Sequence, residues 1–332
     1  MKKILLMLIT LCLLTGCGKV DKDKLVQQFV DDVESAKAYT LSASMEIYSS
    51  EDTFTYDLNV SYMDDDYFKV NMLNKVNDHQ QIILRNDEAV YVVTPSLNKS
   101  YKFSSEWPYN SSQSYILNSL VKDIESTEDI IFVEEEDGYS LKVNVDYPNN
   151  DELSYEKLYF DKDMNLKQVI TYDKDDIACI KVVFNDIDYK ANLGEDDFNV
   201  DNMVSENCCD TEESESTGSL EDIIYPLYIP TNTYLKDKET ISTENGERVI
   251  LTFNGEKNFV LIEENAVVNS EFEVVPVYGD PLLLNNGMGA LTTNALSWTY
   301  DNVDYYLASS DLSTSEMLTI AESLSVVNLV EK

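Results

Sequence analysis

Residues 39–47 read Tyr39-Thr40-Leu41-Ser42-Ala43-Ser44-Met45-Glu46-Ile47, with an apolar residue at each odd position and a polar one at each even position. Because successive side chains of a strand point to opposite faces, this alternation predicts a β-strand with one buried face. The same period recurs in residues 54–62 and 68–72, and clusters of Asp, Asn and Ser separate the runs. The three runs predict the beginning of an antiparallel meander.

The meander continues, and two amphipathic helices accompany it. Apolar residues recur at helical spacing over residues 24–37 and again over 112–123, so helices are predicted to pack on the sheet there. A meander of this length predicts one large sheet that curls around an apolar interior, in a domain that spans residues 24–200. Its further strands are predicted at residues 82–84, 89–94, 101–103, 130–133, 139–145, 157–160, 166–172 and 178–184.

A second domain, residues 222–332, is predicted after an acidic linker. Residues 201–221 consist mainly of Ser, Glu, Thr and Asp and have few apolar residues to bury, as is typical of a flexible linker. Near the end of the chain, Ser313 and Glu316 match a capping box and mark the start of a helix. This segment predicts a small α+β domain. Its strands are predicted at residues 240–242, 248–254, 258–263, 272–276, 289–298 and 300–308.

The N-terminal residues have the layout of an export signal. A basic tip precedes an apolar run at residues 4–14, which is too short to span a membrane. The run ends in Leu14-Thr15-Gly16-Cys17, which resembles the lipobox of bacterial lipoproteins, where the cysteine receives a diacylglyceryl group. We therefore predict a signal peptide over residues 1–16, lipidation of Cys17 and a lipid-proximal tether over residues 17–23. The lipid would anchor the protein to the outer face of the cytoplasmic membrane.

Charge and cysteine content narrow the classes of partner. The chain has 332 residues with 24 Lys and Arg against 62 Asp and Glu, a formal net charge of −38. Nucleic acid repels such a surface, so nucleic-acid binding is excluded.

Besides Cys17 and the signal-peptide cysteine, the chain has Cys179, Cys208 and Cys209. A disulfide from Cys179 to Cys208 or Cys209 is one alternative outside the cytoplasm, and free thiols are the other.

The sequence has no recognisable catalytic centre. It contains one histidine, His79, in a predicted turn, and it lacks the nucleophile and metal-ligand motifs of hydrolases and metalloenzymes. Acidic clusters occur at residues 64–66, 134–137 and 173–176. Residues 161–172 resemble a calcium-binding loop, but Leu and Tyr replace its Gly and bidentate Glu, which favours a turn between strands. We predict a protein without enzymatic activity, metal or cofactor, with an acid-cluster hydrolase as the last alternative.

A break in the meander supplies the candidate contact residues. Trp107, Pro108 and Tyr109 interrupt the alternation and are the candidates for ligand or partner binding. Many of the 22 tyrosines occupy alternating positions and are expected on the faces of the sheet or in its core. Two arrangements of its interior stay open: a solid core, or an apolar groove under the helices that could hold a ligand.

The order of these elements resembles the LolA/RseB family of lipoprotein carriers and periplasmic sensors. Residues 91–103, followed by Glu106-Trp107-Pro108-Tyr109-Asn110, are similar to the Gram-positive germination and sporulation lipoproteins related to GerS. Residues 222–332, with Trp298 and Tyr305, resemble the small RseB-like or DUF4367-type domain. The resemblance implies an α+β fold: a half-open, strongly curved antiparallel sheet (a LolA-like unclosed barrel) covered by helices, followed by a small domain.

The same resemblance implies a function. It indicates a non-enzymatic, membrane-tethered binding or scaffold protein in sporulation or germination, with the forespore membrane as a candidate location. The implied partner is a protein, with a cortex-modifying amidase as the candidate. The alternative is an envelope-stress sensor or a binder of hydrophobic ligands such as lipids or lipoprotein acyl chains. A filled interior would favour the scaffold, and an open groove under the helices would favour the ligand binder.

Overall fold

The computed structural model describes residues 20–49, 52–64, 66–205, 220, 223–243 and 246–324. The predicted signal peptide, the lipobox at residues 14–17 and Cys208 and Cys209 lie outside these ranges, as does most of the acidic linker. In the described ranges, no helix is both long and apolar enough to cross a bilayer.

The described elements are mostly strands. The helices are α1 (Lys22–Glu34), α2 (Leu117–Ser126), α3 (Asn202–Ser205) and α4 (Thr314–Glu322). The strands are β1 (Ala38–Tyr48), β2 (Thr53–Met63), β3 (Tyr67–Asn74), β4 (Gln80–Arg85), β5 (Val90–Thr94), β6 (Lys99–Phe103), β7 (Ile131–Glu135), β8 (Gly138–Asn144), β9 (Leu153–Asp161), β10 (Leu166–Asp173), β11 (Ala178–Asp188), β12 (Thr233–Thr243), β13 (Gly246–Gly255), β14 (Phe259–Asn265), β15 (Glu273–Val277), β16 (Asp280–Leu284), β17 (Gly287–Leu291), β18 (Ala295–Tyr300) and β19 (Val303–Ala308).

These strands form two sheets. The larger sheet has twelve strands in the order β15-β6-β5-β4-β3-β2-β1-β11-β10-β9-β8-β7, and β15 is its one parallel member. Because β15 and β7 lie at opposite edges, the sheet does not close into a barrel. The smaller sheet has seven strands in the order β12-β13-β14-β19-β18-β17-β16. The predicted half-open, curved antiparallel sheet with covering helices is confirmed.

The space between the large sheet and its two helices is filled. Leu120 of α2 and Leu25 of α1 are completely buried, and the ring of Phe29 meets that of Phe160 edge to face at a centroid distance of 5.5 Å. Inward residues of the strands, such as Val169 and Met45, complete this core. Of the two predicted arrangements, a solid core and an apolar groove under the helices, the described residues form the solid core. Each such buried side chain contributes about 1.5–3 kcal/mol to folding.

Helix α2 begins later than the sequence predicts, at Leu117 and not at Ser112. The serines before it serve polar contacts: the Ser112 hydroxyl donates to the Asp123 carboxylate at 2.8 Å. The amide of Gln113 donates to the hydroxyl of Ser119 at 2.7 Å. A serine that bonds nearby polar groups competes with the helical backbone pattern, and this delays the helix start.

One strand that the sequence assigns to the second domain lies in the large sheet. β15 pairs with β6, so that Val275 lies opposite Tyr101. The edge of β6 has backbone donors and acceptors without a partner in the meander, and β15 satisfies them. Asn98 fixes the approach, because its side-chain amide donates to the Asn269 carbonyl at 2.7 Å and its carbonyl accepts from the Glu273 amide at 2.9 Å. The predicted C-terminal domain thus contributes a strand to the first sheet.

Residues 280–300 also differ from the prediction. The single strand predicted at 289–298 is two strands, β17 and β18, because the Thr292 amide donates to the Ala295 carbonyl at 2.8 Å and closes a turn. β16 has no counterpart in the prediction, since Pro281 and the leucines at 282–284 do not alternate with polar residues. β16 and β17 form a hairpin that lines the candidate binding cleft.

Replacement of the predicted helix cap should have a measurable cost. The Glu316 amide donates to the Ser313 hydroxyl at 3.2 Å, and the Glu316 carboxylate accepts from the Ser313 amide at 2.8 Å, so the predicted capping box is present. Ser313→Ala is expected to lower the free energy of unfolding by about 1 kcal/mol in urea titration. Glu316→Gln should lose less, because glutamine keeps the acceptor. Equal stability of Ser313→Ala and wild type would contradict this role.

Candidate binding cleft between the two sheets

A cleft of about 620 Å³ lies where one end of the large sheet meets the small sheet. We call it the intersheet cleft. Its walls come from the ends of β1 and β2, loops 107–113 and 147–153, residues 227–228, the β16–β17 hairpin and the C-terminal end of α4. Its volume falls within the range of ligand sites, about 300–1,000 Å³. It is therefore the candidate binding site.

The β16–β17 hairpin is clamped onto the large sheet and forms the floor of the cleft. The Tyr56 hydroxyl donates to the Asn285 carbonyl at 2.6 Å. The Gln81 side chain accepts from the Met288 amide at 2.7 Å and donates to the Met288 carbonyl at 3.4 Å. Because all of these groups are buried, loss of one partner would leave the other without a hydrogen bond. The clamp fixes how the two sheets meet at the cleft.

Gly287 permits this clamp, and an alanine there should weaken it. Its φ is +143°, a conformation that L side chains rarely adopt, and an added Cβ would lie 2.5 Å from the Gln81 Oε1 atom. Gly287→Ala is expected to lower the free energy of unfolding by about 1–3 kcal/mol in urea titration. Gly194→Ala is the matched control, since nothing lies within 4 Å of an added Cβ there. Similar stabilities of the two variants would contradict the proposed strain.

The structure separates the three candidate contact residues. Trp107 lines the cleft but is almost fully buried, and Arg85 holds it by donating to the Trp107 carbonyl at 2.8 Å. Pro108 is buried too. Tyr109 points away to an exposed site, where its hydroxyl donates to the Asp66 carboxylate at 2.6 Å. Of the three, Trp107 alone contributes to the cleft, and the role of the triplet as a contact site stays a prediction.

The cleft combines aromatic and acidic side chains. Asp52, Glu152 and Glu322 line it, and its described lining includes no Lys, Arg or His. Burial, and then the charge of Glu152, raise the pKa of Glu322 to about 7, opposed by a hydrogen bond from the Asn285 backbone. The cleft therefore presents negative charge beside aromatic surface. Its aromatic lining residues are Tyr48, Phe54, Trp107, Tyr147, Tyr228 and Tyr300.

Asp123 of α2 and Glu156 of β9 form a pair of buried acids that the sequence pattern did not bring together. Glu156 is fully buried, and neither of its carboxylate oxygens has a hydrogen-bond partner in the described structure. Burial, and then the charge of Asp123, raise the pKa of Glu156 well above its usual range, and the nearby Ser114 hydroxyl opposes this shift only in part. Burial also raises the pKa of Asp123, while the Ser112 hydroxyl lowers it. The alternation of Glu156 with Leu158 and Phe160 in β9 was the signal that this carboxylate faces inward.

The segment that resembles a calcium-binding loop and the acidic cluster at 173–176 each form a turn between strands. The Asp161 carboxylate accepts from the amides of Asp163 and Asn165, both at 2.9 Å, and Asp173 makes similar contacts in its own turn. In the part of the chain that the structure describes, no three His, Cys, Asp or Glu side chains are placed to hold a metal ion. His79 lies in the connection between β3 and β4, where its carbonyl accepts from the Asn74 amide at 2.9 Å.

Cys179 lines the intersheet cleft, with its sulfur 3.5 Å from the Ile177 carbonyl oxygen. Burial, and then the nearby Asp173 carboxylate, raise the pKa of its thiol to about 11. Cys208 and Cys209 lie outside the described residues, so a disulfide to either of them stays a prediction.

Residues 1–198 match the protein family described as sporulation protein YdcC-like. The chain belongs to this family. A curated relative is "Sporulation protein YdcC" of Bacillus subtilis (strain 168), which is 34% identical over 318 residues, covering 96% of this chain and 94% of that protein. The expected sporulation-related family is confirmed.

Three solved structures show similar but distant folds. MucB is 12% identical with a TM-score of 0.34, covering 93% of this chain and 98% of that one. A chain in the structure of the CwlD amidase from Clostridioides difficile in complex with the GerS lipoprotein matches at 15% identity and a TM-score of 0.32, covering 53% of this chain and 100% of that one. The LolA superfamily protein NE2245 from Nitrosomonas europaea is 8% identical with a TM-score of 0.33, covering 55% of this chain and 99% of that one.

Proposed function

We propose that this protein is a non-enzymatic lipoprotein that acts in sporulation by binding a protein partner. The observation that carries the proposal is the filled interior: α1 and α2 pack directly on the sheet, and buried apolar side chains occupy the space between them. The 34% identical relative is a sporulation protein, which supports the process. A cortex-modifying amidase is the partner that the resemblance to GerS-related lipoproteins implies.

The proposal includes a lipid anchor. Cys17 follows an apolar run and a Leu-Thr-Gly sequence, so lipidation there would hold the mature chain at the outer face of the cytoplasmic membrane, with the forespore membrane as a candidate. Each buried acyl methylene contributes about 0.8 kcal/mol, so two or more chains give a stable anchor. The acidic chain would stand off from anionic headgroups, which leaves its folded part available to a partner.

The test is purification of the full chain from sporulating cells, beside a Cys17→Ala variant. The expected result is wild-type protein in the membrane fraction with one stoichiometric protein, and Cys17→Ala outside that fraction. Mass spectrometry of the copurified proteins and lipids identifies what is bound. Lipid without any protein would overturn the proposal, and membrane association of Cys17→Ala would overturn the anchor.

The intersheet cleft supports a second candidate function, the binding of a hydrophobic ligand. Its volume of about 620 Å³ and its leucine side chains at 282–284 would suit a single acyl chain. Delipidated protein titrated with a fatty acid should then bind one equivalent, as measured by calorimetry. Replacement of Leu283 by Asp should abolish that binding, and an unchanged titration would place any bound acyl chain elsewhere.

A further inference from the structure

The intersheet cleft has the charge and surface of a site for a cation. We propose that it binds a segment of the protein partner in which a lysine or arginine is flanked by apolar residues. This inference rests on the proposed function and adds the chemistry of the partner and the place where it binds.

The cleft carries negative charge that no Lys, Arg or His of its described lining neutralises. Glu152 lies close enough to disfavour the charge of Glu322, and neither carboxylate forms an ion pair within the described residues. Asp52 adds a third carboxylate at the cleft, near Tyr300. An incoming ammonium or guanidinium group would relieve the repulsion, and charge-assisted hydrogen bonds to carboxylates are about twice as strong as neutral ones.

The C-terminal end of helix α4 adds to the negative electrostatic potential of the cleft. Glu322 is its last residue, and Thr319, Ser323 and Leu324 line the same cleft. Carbonyl groups at the C-terminus of a helix carry partial negative charge and favour a cation nearby. The Leu227 amide donates to the Ser323 carbonyl at 3.3 Å, which connects the exposed segment at 227–228 to this end of the helix. The helix end and the carboxylates therefore both favour a positively charged ligand.

The remaining lining suits the stem and the neighbours of a basic side chain. Lys and Arg bury their methylene stems along apolar surface and place their charge on aromatic faces. Leu227 and Tyr228 are 55% and 40% exposed, so they are free to cover a bound chain. Beneath them, Leu283 and Met288 form an apolar floor. A wholly polar cation such as a hydrated metal would leave this floor unused, and an anionic group would find no positively charged side chain in the described lining to pair with.

The test uses a short synthetic peptide with one central lysine flanked by leucine and valine. Its control replaces the lysine with norleucine, which keeps the stem and removes the charge. Isothermal titration calorimetry of the full chain should show the lysine peptide binding at least about tenfold more tightly than the control. The double variant Glu152→Gln/Glu322→Gln should abolish that difference, and Glu136→Gln, an exposed glutamate outside the cleft, should keep it.

A pH series supplies an independent readout. A bound cation favours ionised Glu322, so binding near neutral pH should release protons, and affinity should rise as the pH increases from 6 to 8. The charge of Glu152 acts on Glu322, Glu322 in turn acts on the Cys179 thiol, and neither neighbour supplies a positive charge. Glu322→Gln should flatten the series. Titration in two buffers of different ionisation enthalpy measures the proton release directly.

Several results would overturn the inference. Equal affinity of the lysine and norleucine peptides, binding of neither peptide, or tight binding that the double variant retains would each do so. Purification of the double variant from sporulating cells separates the two proposals. If it still carries the partner that wild type carries, the partner exists but docks elsewhere. If wild type carries no protein partner, the proposed function itself fails.

Discussion

Leu120→Ala is expected to lower the free energy of unfolding by about 2–5 kcal/mol, the largest loss expected of any substitution considered for this protein. Leu120 lies in α2, is completely buried and belongs to the core between the helices and the large sheet. Removing its side chain deletes buried methylenes and leaves a cavity that the packed strands can fill only in part. Urea titration, with the slope compared to wild type, measures the loss.

The matched control is Leu227→Ala in the intersheet cleft. Leu227 is 55% exposed, so the same truncation there should change stability by less than about 0.5 kcal/mol. A small loss for Leu120→Ala would mean that the space under the helices is not filled. That outcome would favour a hydrophobic-ligand binder over a protein-binding scaffold, so the experiment bears on function as well as on packing.

Much of the large sheet could be predicted because its physical signal is local. Alternation at residues 39–47 reports directly on which side chains face the core, and β1 keeps that pattern along its length. The same holds for the cap at Ser313, where two side chains three residues apart determine the start of α4. Each of these features depends on neighbours in the sequence, so one sequence suffices to find it.

The intersheet cleft could not be predicted in this way, because it depends on contacts between distant residues. Gln81 clamps Met288 across 207 positions, and Tyr56 reaches Asn285 across 229. β15 joins the large sheet at an edge that the alternation pattern cannot reveal. Glu152 and Glu322 read as ordinary surface acids until the fold brings them to one cleft. Periodicity indicates which face of an element is buried, but it does not indicate which other element covers it.

The buried pair Asp123 and Glu156 is expected to make the free energy of unfolding depend on pH. Glu156→Gln is expected to stabilise the protein at pH 8 by at least about 1.4 kcal/mol, the free energy of one pKa unit, because glutamine stays neutral in the core without taking up a proton. At pH 5 the two proteins should differ much less. Burial and the charge of Asp123 raise the pKa of Glu156 in the folded state, so the folded chain holds a proton that the unfolded chain has already released.

The sign follows from proton linkage. Above the usual glutamate pKa the unfolded state binds fewer protons than the folded state, so wild-type stability falls as the pH rises towards the raised folded pKa. Glutamine has no proton to lose, and the variant should therefore show a shallower decline. The decline should not vanish, because burial also raises the pKa values of Glu263 and Glu322 to about 7.

Urea titrations of wild type and Glu156→Gln at pH 5, 6, 7 and 8 measure the difference between the two curves. Glu136→Gln is the control: this exposed glutamate should leave the wild-type pH dependence unchanged, so any flattening belongs to the buried position. Parallel curves for wild type and Glu156→Gln would mean that Glu156 ionises inside the fold without penalty. That result would require a cation or a polar partner beside Asp123 and Glu156, and the filled core under α2 would then have to be revised together with the scaffold argument that depends on it.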